Sequence, residues 1–366
     1  MVSSADNTIS AKYAVRSESK SRFLARILLR LIRFKPKMLI DVCFCPRTRT
    51  LLVFFCLICT LTGGVASAQN EPNFTGCHLL PSVVNPAAAG ASGLTAVTAA
   101  FRQQWVGFDD APQSMLIAAD MQVSFLKNFH GVGVLALQDK AGAMTNINLA
   151  AAYSFHIYLD KGILGLGARF GAVNAKFSAS DLHTAPSEVQ DGYHQETDPL
   201  LNGNDDSQTA FDAGLGAFYQ SDNAFISLAL QHLTAPKLTL KSDAQINVRP
   251  ALNVNAGRLL GKDVKQRSFE PRLAFMTDFA SWQLELSAAA NFNRFFWFAL
   301  GARIQDALLA QTGVRLRNGL DLSYAYDLSL SKLKRYNTGS HEIIARYSFD
   351  FDRQKPEKRY KSVRIL

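Results

Sequence analysis

The sequence is poor in cysteine, and its few cysteines are unevenly placed. Four of the five cysteines lie before residue 69, and Cys77 stands alone in the remainder of the chain. A lone thiol can form neither an intramolecular disulfide nor a cysteine-based zinc site. Both are therefore excluded beyond residue 68.

Long apolar runs are also missing after residue 68. No segment there reaches the 18 or more consecutive apolar residues of a membrane-spanning helix, which argues against a helical membrane protein. Yet 48% of the residues are hydrophobic and only 19% are charged, so the chain is too apolar to be disordered. Its 366 residues allow either two ordinary domains or one large all-β unit.

Positive charge is abundant only at the start of the sequence. The formal net charge is +9, but residues 1–68 hold 11 of the 39 Lys and Arg residues and only 3 of the 30 Asp and Glu residues. The remaining chain therefore carries 28 basic and 27 acidic residues and is nearly neutral. A basic surface is not expected on it, and no nucleic-acid partner is predicted.

Residues 1–68 have the pattern of an export leader. Residues 51–62 form a short apolar stretch preceded by two arginines, and residues 66–68 (Ala-Ser-Ala) match the A-x-A cleavage pattern. We expect a cleavable Sec-type signal peptide, with Gln69 as the first residue of the exported protein. A retained membrane anchor is the weaker alternative, because the apolar stretch is too short to span a bilayer.

A basic segment precedes the signal sequence. Residues 21–34 place four arginines on one helical face with leucine and isoleucine opposite, as in a helix that lies on a membrane surface. The alternatives are an overlong leader or a true start at Met38. In each case the segment is not expected to belong to the folded product.

From Thr145 to Ile157 the sequence alternates with a period of two. Odd positions are mostly apolar and include Leu149, Tyr153 and Phe155, whereas even positions are Asn, Ala, Ser or His. The stretch is long enough to cross a membrane as a strand, and it is longer than the usual strand of a soluble sandwich. This pattern predicts a transmembrane β-strand with one face toward lipid.

The same alternation recurs near the C-terminus, where it puts charges on one strand face. Aspartates alternate with Leu and Tyr in residues 320–328, and Glu342 and Arg346 alternate with apolar side chains in residues 341–351. Such charges cannot face lipid, so they are expected to line a polar lumen. We predict an all-β protein, a transmembrane antiparallel β-barrel of about 14 strands within residues 94–351. The predicted strands lie near residues 94–105, 114–125, 131–138, 145–157, 162–175, 209–220, 224–233, 249–260, 270–280, 281–291, 295–305, 308–316, 319–330 and 341–351.

Segments outside the predicted strands complete the domain plan. Residues 69–93 are expected to form a periplasmic entry segment, and residues 352–366 a basic, flexible tail. Residues 178–208 form a long polar insertion that is expected on the extracellular side. Its histidines and aspartates lack the D-x-D-x-D-G spacing of a calcium loop, so neither a metal nor a cofactor is expected.

Glycines and aromatic residues in the predicted strands fit the barrel plan. Glycine is expected to allow tight curvature and to leave room for large neighbours in the lumen. Aromatic residues near strand ends are expected to contribute to the interfacial girdles of the membrane. The glycines are Gly131, Gly133, Gly165, Gly167, Gly171, Gly214 and Gly216, and the aromatic residues are Trp105, Phe108, Trp282, Phe295, Phe296 and Trp297.

Four short motifs occur in order along the chain. They are VNPAAAG at residues 84–90, FRQQWVGFDDAP at 101–112, GVG followed by DKAG within 131–142, and YAYD, SKL and GSHEI within 324–343. Together they resemble motifs of the PorP/SprF membrane proteins of the type IX secretion system of Bacteroidetes. Two positions differ from the usual pattern, since Ala88 replaces an aromatic residue and Asp110 replaces a glycine. The family-motif residues are Asn85, Pro86, Arg102, Gln104, Trp105, Gly107, Pro112, Asp139, Gly142, Tyr326, Asp327, His341 and Glu342.

Strand phase suggests structural roles for several motif residues. Arg102 and Asp327 lie on the polar faces of their strands and are expected to pair in the lumen near the barrel seam. His341 and Glu342 fall on opposite faces, so both can point into the lumen only if a turn or bulge intervenes. Seam closure and lumen filling are the main roles expected for the motif residues.

The resemblance implies a non-enzymatic component of the type IX secretion and gliding machinery in the bacterial outer membrane. Its implied partners are outer-membrane lipids, periplasmic ring or lipoprotein components, and secreted surface proteins with adhesin-type C-terminal domains. A porin or small-solute transporter is the alternative, because its strands would have the same pattern. A membrane-embedded hydrolase is disfavoured, since no G-x-S-x-G motif accompanies the histidines.

Overall fold

A computed structural model describes residues 74–125, 128–178, 205–239, 245–261, 267–292 and 295–350. The predicted signal peptide in residues 1–68 and the predicted tail at 352–366 lie outside the described residues. So do residues 179–204, which make up most of the predicted long loop.

The described chain is dominated by β-strands whose side chains alternate between buried and exposed positions. In β1 (Thr95–Gln103), for example, Thr98, Ala100 and Arg102 are buried and the residues between them are exposed. The other strands are β2 (Gln113–Phe125), β3 (Asn128–Ala141), β4 (Met144–Leu159), β5 (Gly162–Phe177), β6 (Asp206–Gln220), β7 (Ala224–Gln231), β8 (Lys237–Thr239), β9 (Gln245–Asn247), β10 (Ala251–Arg258), β11 (Arg267–Thr277), β12 (Trp282–Phe292), β13 (Phe296–Arg303), β14 (Ala307–Arg315), β15 (Leu320–Ser329) and β16 (Ser340–Phe349).

Fourteen of these strands close into an antiparallel barrel. Each strand pairs with its neighbours along the chain, except that β7 pairs with β10 because β8 and β9 form a separate hairpin. The seam joins β1 to β16 from Thr95 opposite Phe349 to Gln103 opposite His341. The predicted fold class and strand number are thus confirmed, whereas the small hairpin was not predicted.

The exterior of the barrel is apolar and the interior is polar. Outward side chains such as Ile117, Val134 and Phe211 are 65%, 60% and 61% exposed. Inward positions on the same strands carry buried polar groups, among them Asp120 and Asp212. Exposure of so many large apolar side chains suits contact with lipid, as expected for a membrane-spanning barrel.

The two ends of the barrel differ in the length of their connections. At one end, which we call the turn end, two to eight residues separate consecutive strands of the barrel, and the strand series both begins and finishes there. At the other end, the loop-rich end, up to 28 residues separate consecutive strands, and the described residues there include 104–112, 278–281 and 330–339.

Helical structure is short and lies mostly before the first strand. A 3-10 turn at Cys77–Leu79, an α-helical turn at Pro81–Val84 (α1) and a second 3-10 turn at Pro86–Ala88 follow one another. A further 3-10 turn occupies Lys332–Arg335. No helix in the described ranges has the length and hydropathy needed to cross a membrane.

Candidate functional site in the barrel lumen

Residues 74–93, which we call the luminal segment, fill the interior of the barrel. The segment joins β1 at the turn end, and its first residues lie among side chains from the loop-rich end of the strands. Phe74, Leu79 and Leu80 pack against Leu116 and other inward side chains to form an apolar core. The entry segment expected at residues 69–93 thus has its described part, residues 74–93, inside the barrel.

Glycines on neighbouring strands make room for the backbone of the luminal segment. A methyl group on Gly131 of β3 would lie 2.6 Å from the carbonyl carbon of Ala89, and one on Gly167 of β5 would lie 2.6 Å from Ala87 Cα. Distances this short are overlaps, so only glycine fits at these positions. The sequence predicted that these glycines leave room for a neighbour in the lumen. That neighbour is the backbone of the luminal segment.

Asn85 and Pro86 attach the middle of the segment to the barrel wall. The Asn85 side-chain amide lies within hydrogen-bond distance of the Ala217 and Leu228 carbonyls and the Ser227 hydroxyl, at 2.9, 3.1 and 2.9 Å. Its carbonyl oxygen accepts from Ala87 N at 2.9 Å and caps the second 3-10 turn. The backbone of Asn85 is extended, which is the conformation that a residue before proline prefers. Pro86 thus fixes the backbone conformation at Asn85, and the Asn85 side chain supplies the hydrogen-bond acceptor for the first N–H of the turn.

Strand side chains bind other polar groups of the segment. On β2, Asp120 accepts from the Ser82 hydroxyl at 2.8 Å and from Gly90 N at 3.0 Å. Further bonds run from Gln231 to the Val84 carbonyl (2.9 Å), from Ser154 to the Ala89 carbonyl (2.9 Å), from Arg346 to the Leu79 carbonyl (3.3 Å) and from Arg169 to the Val83 carbonyl. Buried backbone groups of a non-repetitive segment need such partners, and the polar lumen supplies them.

A cluster of five charged side chains, the lumen charge cluster, lies near the loop-rich end. It consists of Arg102, Arg303, Glu285, Asp327 and Glu342 from five different strands, all at most 6% exposed. Arg102 pairs with Asp327 at 2.7 Å and with Glu342 at 3.0 Å. Arg303 pairs with Asp327 at 3.0 Å and with Glu285 at 3.1 Å. The predicted pairing of Arg102 with Asp327 in the lumen therefore occurs.

Thr75 of the luminal segment sits inside this cluster. Its hydroxyl donates to Asp327 at 2.8 Å and accepts from Arg102 Nη1 at 2.9 Å and Arg303 Nη2 at 3.0 Å. The backbone N–H groups of Thr75 and Gly76 donate to the two oxygens of Glu342, at 2.8 and 2.7 Å. The cluster thus holds the seam of the barrel and one end of the segment together.

The motif residues after Arg102 join two loops at the loop-rich end. Val106 N donates to the Gly339 carbonyl at 2.8 Å, and Thr338 N donates to the Val106 carbonyl at 2.8 Å. Trp105 has a φ of 45° and Gly107 a φ of 114°, so the chain turns sharply between these bonds. The backbone of Gln104 donates to the Pro112 carbonyl at 2.8 Å and closes the base of the first loop.

The last motif fits against this junction. The Tyr326 hydroxyl donates to the Thr338 carbonyl at 2.6 Å. A methyl group on Gly339 would lie 2.7 Å from the Tyr326 ring, so glycine is needed there. His341 points away from the lumen and pairs with the Tyr324 hydroxyl at 2.6 Å, whereas Glu342 is buried inside. The opposite orientations predicted for His341 and Glu342 are thus observed.

The third motif lies apart from the charge cluster. Asp139 accepts from the Ser114 hydroxyl at 2.5 Å, and Gly142 N donates to the Asp110 carbonyl at 3.1 Å. The Asp139 bond links β3 to the paired strand β2, and the Gly142 bond ties the turn between β3 and β4 to the loop after β1. Asp139 and Gly142 therefore hold neighbouring elements together at the loop-rich end.

Trp297 differs from the aromatic girdle that the sequence suggested. It is 2% exposed, faces inward, and meets His78 of the luminal segment edge to face at 5.3 Å between ring centres. The Arg272 guanidinium lies 5.8 Å from the centre of its ring. Every residue of Phe296–Leu300 is apolar, so the sequence does not show which of these side chains face the lumen and which face outward.

Sequence reasoning missed Thr75, Arg303 and Glu285 as members of the site. Arg303 and Glu285 lie on strands with weak alternation, and Thr75 lies in a segment without regular period. The sequence feature that could have indicated a segment inside the barrel is the series of inward glycines on β3, β5 and β6, because such glycines allow another backbone to approach closely.

One buried pair resembles part of a hydrolytic site. Ser154 Oγ lies 2.7 Å from His156 Nε2, but its hydroxyl donates to the Ala89 carbonyl. His156 must then donate to Ser154, so it is not placed to accept the proton of a nucleophile. The pair serves to hold the luminal segment.

A family profile described as "Type IX secretion system membrane protein PorP/SprF" matches residues 66–347. The chain belongs to the PorP/SprF family. The match takes in the luminal segment, the lumen charge cluster and the joined motif loops described above. The family description names a membrane protein, and the apolar exterior of this PorP/SprF barrel agrees with that location. Family membership makes the protein an outer-membrane component of type IX secretion.

Several solved structures are similar to this PorP/SprF chain at low sequence identity. A monoaromatic hydrocarbon channel, the TodX deltaS2S3 mutant, is 11% identical with a TM-score of 0.45, and the match covers 79% of this chain and 97% of that one. The outer membrane protein Omp33 of Acinetobacter baumannii is 8% identical with a TM-score of 0.40, over 72% and 100% of the two chains. No curated protein matches the chain.

Proposed function

We propose that this protein serves type IX secretion as a closed barrel that binds other proteins. In this role it docks periplasmic ring or lipoprotein components and helps to secrete surface proteins or to hold them at the outer membrane. It reaches the membrane by way of a Sec-type signal peptide in residues 1–68. Its chemistry is recognition, without bond making or breaking.

The filled lumen is the observation that carries this proposal. The luminal segment runs between both ends of the barrel and is bonded to strands on opposite sides of the interior. Freely diffusing solutes need an open polar channel, as in large porins. A barrel occupied by its own chain is better suited to presenting its ends to partners.

The two ends then have different partners. Bacterial outer-membrane barrels have short periplasmic turns and longer external loops, so we place the turn end in the periplasm and the loop-rich end at the cell surface. Periplasmic components would bind the turn end. Surface proteins would bind the loop-rich end, where the exposed rings of Phe108 and Tyr336 lie 6.4 Å apart above the joined motif loops.

Affinity purification of the full-length protein in detergent, with mass spectrometry of the proteins that accompany it, tests the role. We expect type IX ring components or adhesin-type surface proteins to be recovered. Tyr336→Ala should lower recovery of the surface proteins, because an exposed aromatic residue is removed. Phe279→Ala is the matched control, since Phe279 is equally exposed (68%) in a different connection at the same end. Recovery of neither class of partner, under conditions that preserve other complexes, would contradict the proposal.

Conductance separates the proposal from a porin or small-solute transporter. In planar bilayers, the full-length protein is expected to show no steady open channel, because the luminal segment occupies the interior. A large steady conductance would contradict the proposal and favour the transporter.

A further inference from the structure

One strand of the barrel extends well beyond its neighbour at the loop-rich end. β6 pairs with β5 over its whole length, residues 206–220. On its other side β6 pairs with β7 only from Leu215 to Gln220. Residues 206–214, which we call the β6 edge, therefore have a strand on one side and none on the other among the described residues.

The connection after β7 covers only the part of the β6 edge nearest to β7. The Leu233 N–H donates to the Ala213 carbonyl at 2.9 Å, and the Thr234 hydroxyl donates to the Phe211 carbonyl at 3.1 Å. Alternate residues of an antiparallel strand direct both of their backbone groups to the same side. The odd-numbered residues of the β6 edge thus direct their N–H and carbonyl groups away from β5.

The rest of the β6 edge has backbone groups that make no bond on that side. Within the ranges that the structure describes, no hydrogen bond joins the N–H and carbonyl groups of Ser207 and Thr209, or the N–H group of Phe211, to an element on the side away from β5. β8 lies nearby, but it pairs with β9. Because Ser207, Thr209 and Phe211 are exposed, these five backbone groups are open to water or to a partner.

Side chains on the outer surface place the β6 edge outside the lipid. Phe170 and Phe211 face outward and are 56% and 61% exposed, with ring centres 6.4 Å apart. Farther toward the loop-rich end on the same face, Asn174 Nδ2 lies 2.8 Å from Thr209 Oγ1, and Lys176 forms an ion pair with an aspartate. Lipid-facing positions do not carry such polar and charged groups. The lipid boundary therefore lies near the two rings, and the β6 edge beyond them stands in water.

We propose that the β6 edge binds an extended segment of a secreted surface protein, which adds to the barrel as a further strand. The partner class rests on the proposed function, which places surface proteins at the loop-rich end, and the mode of binding rests on the free backbone groups. These groups repeat every second residue, about 7 Å apart, which is the repeat of an extended peptide. None of residues 207–211 is charged, so the bound segment is expected to carry uncharged side chains, with an aromatic or β-branched one against Phe211.

Binding of an uncharged peptide tests the mode of binding. The probe is acetyl-Thr-Val-Thr-Val-Thr-amide, and saturation-transfer NMR follows its binding to the full-length protein in detergent. Thr209→Pro should weaken binding about tenfold, because proline lacks the N–H and its ring obstructs a neighbouring strand. The pairing of β5 with β6 keeps its bonds, since the Thr209 N–H points away from β5. Thr209→Val is the matched control, because it removes only the hydroxyl, and it should bind the probe as the unaltered protein does.

A probe that cannot form strand bonds gives a test that does not depend on the folding of a variant. The same peptide with every backbone nitrogen methylated should show no binding to the unaltered protein. Absence of binding by the unmethylated peptide would overturn the proposal. Equal binding by the methylated peptide, or equal binding of the unmethylated peptide to Thr209→Pro, would overturn it as well.

Recovery of partners separates this inference from the proposed function. In the affinity purification described above, Thr209→Pro should recover about tenfold less surface protein than Thr209→Val, with ring components unchanged. Equal recovery would overturn the inference and leave the proposed function standing. Recovery of no partner by the unaltered protein, together with peptide binding that Thr209→Pro weakens, would contradict the proposed function and support strand addition at the β6 edge. Conversion of a dimer into a monomer by Thr209→Pro, measured by light scattering, would identify a second copy of this chain as the occupant and overturn the proposal.

Discussion

Replacement of Thr75 by valine should loosen the outer part of the luminal segment. Valine keeps the shape of threonine but removes the hydroxyl that donates to Asp327 and accepts from Arg102 and Arg303. Each charged partner keeps another bond, since Arg102 still meets Glu342 and Arg303 still meets Glu285. The loss is therefore expected near about 1–3 kcal/mol, the usual range for buried groups that lose a partner.

This free energy predicts a change in how often the segment leaves its site. Because about 1.4 kcal/mol corresponds to a factor of ten, the released fraction should rise about 5- to 150-fold. Cys77 lies two residues from Thr75 and reports on release. A bulky maleimide-polyethylene glycol reagent cannot enter the filled lumen, so its rate of reaction with Cys77 follows the released fraction when release is rapid.

The assay uses full-length protein in lipid vesicles, with mass spectrometry of the peptide that contains Cys77. Thr234→Val is the control, because the Thr234 hydroxyl also bonds an aspartate, Asp212 at 3.2 Å, but in a connection after β7. It should leave the Cys77 rate unchanged. If Thr75→Val reacts no faster than this control, the hydroxyl does not hold the segment and the reasoning is refuted.

Two other pairs of variants test the packing and the charges of the lumen. Asp327→Asn should lower the free energy of unfolding by about 3–5 kcal/mol, because it removes a buried carboxylate that pairs with both Arg102 and Arg303. Asp306→Asn should cost under about 1 kcal/mol, although its carboxylate also meets Arg303 Nη1, because that side chain is 41% exposed. Denaturant unfolding in vesicles, followed by tryptophan fluorescence, measures both, and equal effects would contradict the assigned role of burial. Gly131→Ala should destabilise by about 1–3 kcal/mol through overlap with Ala89, whereas Gly133→Ala, whose methyl group would lie 3.3 Å from its nearest neighbour, should be close to neutral. Denaturant unfolding also measures the effects of these two glycine variants. If Gly131→Ala leaves the free energy of unfolding unchanged, the luminal segment does not lie against β3 at this position.

The barrel itself was predictable because lipid imposes a simple rule on every strand. Outward residues must be apolar and inward residues can be polar, so a period of two shows both the strand and its orientation. The orientations of Arg102, Asp327, His341 and Glu342 follow from that rule. It fails where both faces are apolar, as around Trp297, and where strands have only three residues, as in the β8–β9 hairpin.

The luminal segment was not predictable in the same way. Its helical turns contain three or four residues each, which is too short for a periodic pattern. Its stability comes from bonds to strand residues far away in the sequence, such as Thr75 to Asp327 and Asn85 to Leu228. Inward glycines signal that something lies close to the wall, but they do not say which part of the chain it is. The motif residues acquire their roles only once both partners are in place.

The position of the luminal segment inside the membrane-embedded barrel is tested most directly by cross-linking. Ser82 Oγ lies 2.8 Å from Asp120 Oδ1, so cysteines at these two positions, with Cys77→Ser, should be joined by a short reagent that links two thiols. We expect mass spectrometry of the protein in its native membrane to show one linked pair of peptides from residues 82 and 120. Single-cysteine variants should show none. If both thiols of the double variant react separately and no linked pair forms, the segment does not occupy the lumen, and the closed barrel proposed for this protein is wrong.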